Sequence, residues 1–477
     1  MGVFSALTTA VTGMTAQSYA LENISGNIAN ARTTGYKRID TTFSDLVPDT
    51  ALNRQIGGSV AAYSLATNTI QGDLQATRID TNVAINGDGY FVVDQRASGI
   101  GANMQFDGKN LYTRRGDFDF DANGYLVNGA GYYLKGFKID QTTGQLIGTQ
   151  PDVIQIAKSQ FPAKATTSID FSANLPAYPK TNNANNTVPG SELLFDPASS
   201  FAASYPNSSA LSASQPTTVI AGSEVTNFLT RSIEGGSVTV YDPLGQAVSV
   251  NLRWAKVDNG DPAATPPTTG TWQLFVAENT GATGATQVAY RSAGVNVTFG
   301  TTGQMLNPTG GSIQLPQLTI GGTAISTTAN PINLTLGANG LTQNGDVSGL
   351  IDARSIRQDG YTAGTLDRVS VNSEGAVIGT FSNGQMVALA QIATARFNAD
   401  NSLKRLDGGA FEETVESGPP ITGLGTSQLI GGNVEQSNTD IADEFSKMII
   451  TQQAYSANTK VISTAQDMLS AVFNIIR

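Results

Sequence analysis

A long uninterrupted stretch at the end of the sequence constrains the fold most. From Ile441 to Arg477 it contains no proline, and a set of positions recurs at alternating spacings of four and three residues, which places them on one side of an α-helix. The set consists of Ile441, Phe445, Met448, Gln452, Tyr455, Thr459, Ile462, Gln466, Leu469, Phe473 and Ile476. A second stripe runs beside it at Val461, Ala465, Met468, Val472 and Ile475. Two adjacent stripes exceed the face that one partner helix covers, so the pattern predicts a helix with several neighbours.

The beginning of the sequence carries a matching pattern. The stripe there consists of Phe4, Leu7, Val11, Met14, Ser18, Leu21, Ser25 and Ile28, with no proline before Pro48. We therefore expect the first and last helices to form a coiled-coil-like pair. The alternative is an ordinary antiparallel helix pair packed on its own domain.

The first helix carries Gly2, Gly13 and Gly26, and both helices contain many Ser/Thr and β-branched residues. These residues are poor helix formers, so the pattern favours helices that become stable when many copies pack together. The polar stripe positions Gln452, Thr459 and Gln466 would then set the register of the assembly. The predicted assembly interface comprises Phe4, Leu7, Val11, Met14, Leu21, Ile28, Ile441, Phe445, Met448, Tyr455, Ile462, Leu469 and Phe473.

Composition excludes several functional classes. The 477 residues include neither cysteine nor histidine, which removes disulfides, thiolate chemistry, His-dependent hydrolase dyads and the usual zinc or copper ligands. The net charge of −11, without a Lys/Arg cluster, disfavours nucleic-acid binding. We expect no enzyme activity, no cofactor and no metal.

Targeting signals are also weak in this sequence. Glu22 is the only charged side chain before Arg32, so there is no basic segment of the kind that begins a cleaved signal peptide. No stretch approaches 18 apolar residues, and we expect no membrane insertion. If the protein is secreted, we expect a route that reads no cleaved signal.

The remaining pattern predicts a mainly β chain with terminal α-helices and nested domains. Short alternating runs and Gly-rich turns indicate an antiparallel β core made from two separated halves, with one or more outer β domains inserted between them. The predicted divisions are an axial helix at 1–32, an extended connector at 33–71, the first core half at 72–145, the insertion at 146–354, the second core half at 355–433, and an axial helix at 434–477.

Two turns in the first core half have specific interpretations. The apolar runs of 83–93 flank Asn86-Gly87-Asp88-Gly89, a pattern typical of a β-hairpin. The segment from Asp119 to Gly124 matches the first half of a calcium loop, but Ala130 stands where a bidentate Glu is required. We favour a β-turn there.

Four motifs resemble those of bacterial flagellar rod and hook proteins. They are the stretch 27–37, the stretch 84–92 with 112–136, the stretch 435–440 and the stretch 448–455, in the order that the family has them. The residues that carry the resemblance are Asn27, Asn30, Thr34, Gly35, Tyr36, Asn86, Gly87, Gly89, Ser437, Asn438, Gln452 and Tyr455. The long insertion, together with 359–364 and 381–385, is similar to hook rather than rod members.

This resemblance implies a structural subunit that polymerises into the curved, flexible hook tube, a universal joint that transmits motor torque to the filament. It implies export through the flagellar type III apparatus and contacts with further copies of the chain, the hook cap, the distal rod and the hook–filament junction proteins. A distal rod protein is the alternative within the family. A secreted β-rich carbohydrate-active enzyme is the alternative outside it, and two facing carboxylates in a cleft of 146–354 would support that reading.

Overall fold

The computed structural model describes residues 3–46, 59–99, 104–140, 143–156, 160–194, 219–260, 263, 267–315, 317–320, 323–327 and 330–475. The chain divides into two compact units. Unit 1 is formed by 1–159 and 366–477, and unit 2 by 160–365. One unit is therefore built from both ends of the chain, and the other is an insertion between them.

The elements before the insertion are α1 (Val3–Ala29), β1 (Ile39–Leu46), β2 (Ser59–Ala66), β3 (Leu74–Ala76), β4 (Val83–Asn86), β5 (Tyr90–Ser98), β6 (Gln105–Phe106), β7 (Leu111–Thr113), β8 (Phe118–Phe120), β9 (Leu126–Asn128), β10 (Tyr132–Ile139) and β11 (Leu146–Val153). Unit 2 contains β12 (Ser168–Pro176), β13 (Val219–Ala221), α2 (Val225–Thr230), β14 (Ile233–Tyr241), β15 (Ala247–Asp258), β16 (Thr268–Ala277), β17 (Val288–Gly300), β18 (Met305–Asn307), β19 (Ser312–Gln314), β20 (Leu318–Ile320), β21 (Thr323–Ser326), β22 (Asn333–Thr335), α3 (Gly337–Gly340), β23 (Leu341–Asn344) and β24 (Asp352–Gln358). The chain then returns to unit 1 with β25 (Leu366–Val371), β26 (Ala376–Phe381), β27 (Met386–Ile392), β28 (Thr394–Arg396), β29 (Lys404–Arg405), β30 (Ala410–Glu412), β31 (Ile421–Thr422), β32 (Gln428–Gly431), β33 (Asn433–Glu435) and α4 (Ile441–Ile475).

The core of unit 1 is an antiparallel sheet that draws strands from both halves of the chain. Its strand order is β25-β26-β27-β10-β5-β7-β30-β29, so β10 pairs with β27 and β7 pairs with β30 across the insertion. Apolar side chains of both halves, including Phe91, Phe118 and Val377, are fully buried in one cluster. The insertion point therefore leaves the core sheet intact.

The Gly-rich turns of the core sheet close several short hairpins. Strands β8 and β9 pair around the turn that ends at Gly124, where Asp121 Oδ1 accepts hydrogen bonds from the backbone amides of Asn123 and Tyr125. This turn is the segment that matched half of a calcium loop, and a β-turn is what the structure contains. Strands β25, β26 and β27 also form consecutive hairpins.

The hairpin predicted for 83–93 is wrong. Strand β4 pairs with β32, whereas β5 pairs with β7 and β10. The two glycines between them explain the difference, because Gly87 and Gly89 have φ angles of 106° and 128°. These angles turn the chain out of one sheet and into another rather than back on itself.

The segment 33–71 is more structured than the extended connector predicted from the sequence. Its strands β1 and β2 pair antiparallel over eight residues, from Ile39 opposite Ala66 to Leu46 opposite Ser59. This two-stranded sheet lies against α1, where the Tyr19 and Ser64 hydroxyls are 2.7 Å apart and Asn23 Nδ2 donates to Thr41 Oγ1 at 2.8 Å. The sequence signal was weak because neither strand alternates cleanly between polar and apolar residues.

Unit 2 is a β-sandwich. One sheet has the order β13-β17-β16-β15-β14, and the other is built around β12, which pairs with β22, β23 and β24. The apolar cluster between the sheets contains both tryptophans of the sequence, Trp254 and Trp272, with neither exposed. The boundaries differ from the predicted 146–354, because β11 pairs with β10 of unit 1 and β24 belongs to unit 2.

Candidate assembly surface on the helix pair

The first and last helices pack antiparallel within one molecule. Asn27, near the end of α1, donates through Nδ2 to Glu444 Oε2 near the start of α4 at 3.0 Å. Further along, Gly13 lies so close to Asn458 that a Cβ added to the glycine would stand 2.9 Å from the Asn458 Nδ2 atom. Gly13 lies 14 residues before Asn27, and Asn458 lies 14 residues after Glu444. The two helices therefore keep one register over roughly four turns.

Small side chains form the face that joins the two helices. On α1 the buried apolar residues are Ala10, Ala16, Ala20 and Ile24. On α4 the buried positions Glu444, Thr451 and Ala465 are separated by seven or fourteen residues, and Asn458 completes the heptad spacing. Small residues let the helix axes approach closely, but they bury little apolar area, so this interface alone provides limited stabilisation.

The predicted interface residues lie mostly outside this joining face. Phe4, Val11, Ile441, Phe445 and Tyr455 are exposed. Seven further members of the set are half-buried: Leu7, Met14, Leu21, Ile28, Met448, Ile462 and Leu469. The side chain of Phe473 lies outside the described residues. The monomer thus leaves much of the predicted stripe in contact with solvent.

A buried polar cluster fixes α4 to the start of β1. Glu444 is fully buried, and its Oε1 accepts a 2.8 Å hydrogen bond from Lys447 Nζ, which also donates to Asp40 Oδ1 at 3.0 Å. Burial alone would lower the pKa of Lys447, but the hydrogen bonds and charges of Glu444 and Asp40 outweigh it and raise that pKa. Asn27 Oδ1 accepts from the Ile39 amide at 2.9 Å, so the Asn27 side chain contacts both α4 and β1.

A second buried cluster joins the two ends of the chain to the core sheet. Lys37 Nζ and Glu435 Oε1 are 2.5 Å apart, and neither side chain is exposed. Arg114 lies 3.4 Å from Glu435 Oε2 and donates to the carbonyl oxygens of Ile85 and Gly87. Burial lowers the pKa of Lys37, although the Glu435 carboxylate opposes this shift. We call Lys37, Arg114 and Glu435 the charge triad.

Two glycines make room for the charge triad. The Gly35 amide donates to the Glu435 carbonyl at 2.7 Å, and its φ of 65° brings it against Arg115, where a Cβ would clash at 2.8 Å. The Gly72 amide donates to Glu435 Oε1 at 3.0 Å, and a Cβ there would stand 2.1 Å from the Gln436 carbonyl oxygen. These close approaches require glycine at both positions.

Asn438 links the same region to the chain between β2 and β3. Its Oδ1 accepts from the Arg38 amide at 2.7 Å, and its Nδ2 donates to Thr67 Oγ1 at 3.2 Å and to the Ile70 carbonyl at 3.2 Å. Tyr36 is nearby with its ring under the Arg405 guanidinium, 5.0 Å from the centroid. Burial raises the pKa of the Tyr36 hydroxyl, with Arg405 opposing the shift.

The structure brings most of the motif residues into one region, the base of the helix pair. Asn27, Gly35, Tyr36, Gly87 and Asn438 all contribute to the contacts described above. Asn30 closes the end of α1 through its Nδ2 hydrogen bond to the Gly26 carbonyl, and Ser437 Oγ accepts from the Thr439 amide. Thr34 and Gly89 lie in the adjoining connections and Asn86 ends β4, whereas Gln452 and Tyr455 are exposed further along α4. Sequence reasoning missed the charge triad, because Lys37 and Glu435 are 398 positions apart and belong to no recognisable spacing.

Other classes of site have little support in the part of the chain that the structure describes. No cluster of three or more acidic side chains there is arranged to hold a metal ion. None of the described helices combines the length and apolarity needed to cross a membrane. In unit 2, a cavity of about 300 Å³ beside Ser237 and Tyr290 is lined by one carboxylate, Glu234, which is paired with Arg253. This cavity does not supply the two facing carboxylates that the glycosidase alternative requires.

Four family models match successive parts of the chain. They are described as "Flagella basal body rod protein" at 7–37, "Flagellar hook protein FlgE/F/G D1 domain" at 84–174, "Flagellar basal body protein FlaE D2 domain" at 230–361, and "Flagellar basal body rod FlgEFG protein C-terminal" at 430–475. The matches fall on α1 and its following turn, the core sheet, unit 2 and α4.

Curated relatives match over the full length. The flagellar hook protein FlgE of Brucella suis biovar 1 is 29% identical over 484 residues, covering 100% of both chains. FlgE of Caulobacter vibrioides is 27% identical over 601 residues, again with 100% of both chains covered, and FlgE of Salmonella typhimurium is 26% identical with 98% of each covered. Among solved structures, the Helicobacter pylori flagellar hook protein FlgE2 matches with a TM-score of 0.48 and 15% identity, over 74% of this chain and 98% of that one.

Proposed function

From these matches we propose that the chain is a member of the flagellar rod and hook protein family and a structural subunit of the bacterial flagellar hook. In this role it polymerises into a curved, flexible tube that transmits torque from the motor to the filament. The hook is favoured over the distal rod because the curated relatives that match over the full length are hook proteins.

The observation that carries the proposal is the solvent-exposed apolar surface of the helix pair. The two helices join through small residues, and large side chains such as Phe4, Val11 and Phe445 remain exposed. Exposed apolar side chains aligned along helices are typical of surfaces that become buried on association. In a polymer the neighbouring copies would cover them.

Further partners and location follow from the same role. We propose that the subunit leaves the cell through the flagellar export apparatus and assembles outside it. The hook cap would contact it at the growing end, and the distal rod and hook–filament junction proteins would contact the two finished ends. We propose no enzymatic activity, no cofactor and no nucleic-acid partner, since the sequence offers no histidine or cysteine for catalysis.

The test compares polymerisation of purified wild-type protein with that of Phe445→Asp. Phe445 is exposed and outside the joining face of the helix pair, so the aspartate should leave the monomer fold intact. Fully burying a phenylalanine side chain contributes roughly 1.5–3 kcal/mol. We therefore expect the concentration at which tubes form to rise more than about tenfold. Sedimentation and electron microscopy measure this.

A matched control is Ser456→Asp, which places the same charge at an exposed position of α4 outside the predicted interface. A charge at Leu469 is a less clean test, because Leu469 is half-buried and its substitution would also disturb the helix pair. Tube formation by Phe445→Asp at the wild-type concentration would remove Phe445 from the interface. Absence of tubes from the wild-type protein under all conditions would contradict the proposed function itself.

A further inference from the structure

A further, largely apolar stripe on α4 lies apart from the predicted assembly interface and shares Val461 and Met468 with the second stripe of the sequence pattern. Its members are spaced by four and three residues in strict alternation and carry no charge: Ile450, Ala454, Ala457, Val461, Thr464 and Met468. The three largest side chains, Ile450, Val461 and Met468, are 66%, 45% and 54% exposed. We call this set the second flank of α4. Taking 100° per residue, it lies roughly 80° around the helix from the face that packs on α1.

The opposite flank of α4 is apolar only at its beginning. Ile441, Phe445 and Ile449 are exposed there, but the same side continues with Gln452, Thr459 and Gln466. On the second flank, Thr464 is the one polar member from Ile450 to Met468. The second flank is therefore the longer of the two exposed apolar surfaces of this helix.

The outward side of α1 offers a surface of matching length and complementary shape. It carries Phe4, Leu7, Val11, Met14, Ser18 and Leu21, again at spacings of three and four residues. From Phe4 to Leu21 this face extends about 26 Å, and from Ile450 to Met468 the second flank extends about 27 Å. Its large side chains suit the gaps that Ala454 and Ala457 leave on the second flank, as knobs suit holes in a coiled coil.

We infer that the outward face of α1 in one copy packs on the second flank of α4 in the next copy. This inference rests on the proposed function, and it names the partner surfaces. The contact would extend the α1–α4 interface already present in each monomer into a continuous layer of helices. Because the two surfaces are different, a pair of copies still has one of each surface free, so the contact repeats from copy to copy. Where the rotation between successive copies does not close a ring, such a contact builds an open helical polymer.

The absence of cysteine from the sequence allows a direct test by disulfide cross-linking. Val11→Cys protein is mixed with a second variant carrying one cysteine on the second flank, at Ile450, Ala457, Val461 or Met468. The mixture is polymerised and oxidised, and peptides are identified by mass spectrometry. Because each chain has one cysteine, a mixed disulfide can form only between copies, and only where the Cα atoms come within about 7 Å.

The control series places the cysteine at Ser456, Ser463 or Ser470, on the opposite flank of α4. We expect mixed disulfides for one or more second-flank positions and none above background for the control series. In parallel, Val461→Asp should raise the concentration needed for tube formation at least about tenfold. Ser456→Asp, at an exposed position on the opposite flank, should leave it unchanged.

The outcomes separate this inference from the proposed function. If wild-type protein forms tubes but the disulfides appear in the control series and not on the second flank, the pairing inferred here is wrong and the hook function stands. If wild-type protein forms no tubes, both fail. If tubes form, second-flank disulfides appear and Val461→Asp is defective, the pairing is supported.

Discussion

At the scale of single residues, the charge triad is the most consequential feature of unit 1. Removing one charge of a buried pair leaves its partners buried without compensation, which typically costs about 3–5 kcal/mol. Glu435 is fully buried and faces both Lys37 and Arg114. We expect Glu435→Ala to lower the free energy of unfolding of unit 1 by that amount, measured by denaturant unfolding followed by circular dichroism.

The control for this substitution is Glu412→Ala, which removes the exposed partner of Lys404. Exposed ion pairs contribute little because water screens them, and we expect no measurable change in unfolding. If Glu435→Ala were as stable as Glu412→Ala, the triad would not be what fixes the ends of the chain to the core sheet.

Asp359 provides a pH-dependent contribution in unit 2. Burial would raise the pKa of its carboxyl, but hydrogen bonds from the Ser168 and Thr167 amides, the Thr167 hydroxyl and Lys164 outweigh it and lower the pKa to about 2. Because the folded pKa lies below the ordinary value of 3.8, the stabilisation is present above about pH 4. It is lost as the pH falls towards 2.

Both tryptophans lie in unit 2, so their fluorescence reports its thermal unfolding separately from unit 1. We expect wild-type protein to have a higher Tm than Asp359→Asn at pH 6, and the difference to shrink between pH 4 and pH 2. A difference that stayed constant over this range would show that the carboxylate charge is not what stabilises this part of unit 2.

The sequence predicted some residue roles and not others, for physical reasons. The residues of the family motifs could be found because they are clustered along the chain, and the structure shows that Asn27, Tyr36 and Asn438 make side-chain contacts at the base of the helix pair. The pairing of Asn27 with Glu444 could not be found, and neither could that of Lys37 with Glu435. Glu444 and Glu435 are acidic residues on a chain with 38 such residues, and only folding brings them against Asn27 and Lys37.

At the scale of elements, one face of each terminal helix joins the two helices and other faces remain exposed for assembly. The sequence pattern had assigned both roles to the same stripe. Periodicity placed both helices and predicted their pairing, but it ranked positions by hydrophobicity. The joining face is instead made of small and polar residues such as Ala16, Ala20 and Thr451, which a hydrophobic pattern does not reveal. The hairpin prediction for 83–93 was wrong for a different reason. Gly87 and Gly89 direct the chain from one sheet into another.

Gly13 tests how closely the helices approach. A Cβ alone would meet only the end of the Asn458 side chain, which can move, so Gly13→Ala should be tolerated. We expect Gly13→Leu to separate the helices at a cost of about 1–3 kcal/mol, seen as a loss of helical circular dichroism and faster proteolysis of α1.

Gly26→Leu is the matched control, because no atom lies within 4 Å of a Cβ added at Gly26. Leucine is also a better helix former than glycine, so this variant should keep or gain helicity. Equal behaviour of the two leucine variants would mean that the close approach at Gly13 does not hold the helices together.

At the scale of the whole molecule, the helix pair is anchored at one end and incompletely covered along its length. The buried polar clusters fix the base of the pair to the core sheet. Further along, the joining face is narrow and the outer faces are apolar and exposed. The domain arrangement could be anticipated from alternating composition, but the boundary near 160 could not, because β11 pairs with β10 without any signal in its own sequence.

Hydrogen exchange, measured by mass spectrometry on monomer and polymer, would decide whether the helix pair is the assembly surface. We expect amides of α1 from 4 to 21 and of α4 from 450 to 470 to exchange rapidly in the monomer and to become strongly protected in the polymer. Amides near Asn27 and Glu444, and those of the core sheet, should be protected in both. If both helices were equally protected along their whole length in the monomer, and polymerisation changed nothing there, the helix pair would not be the assembly surface.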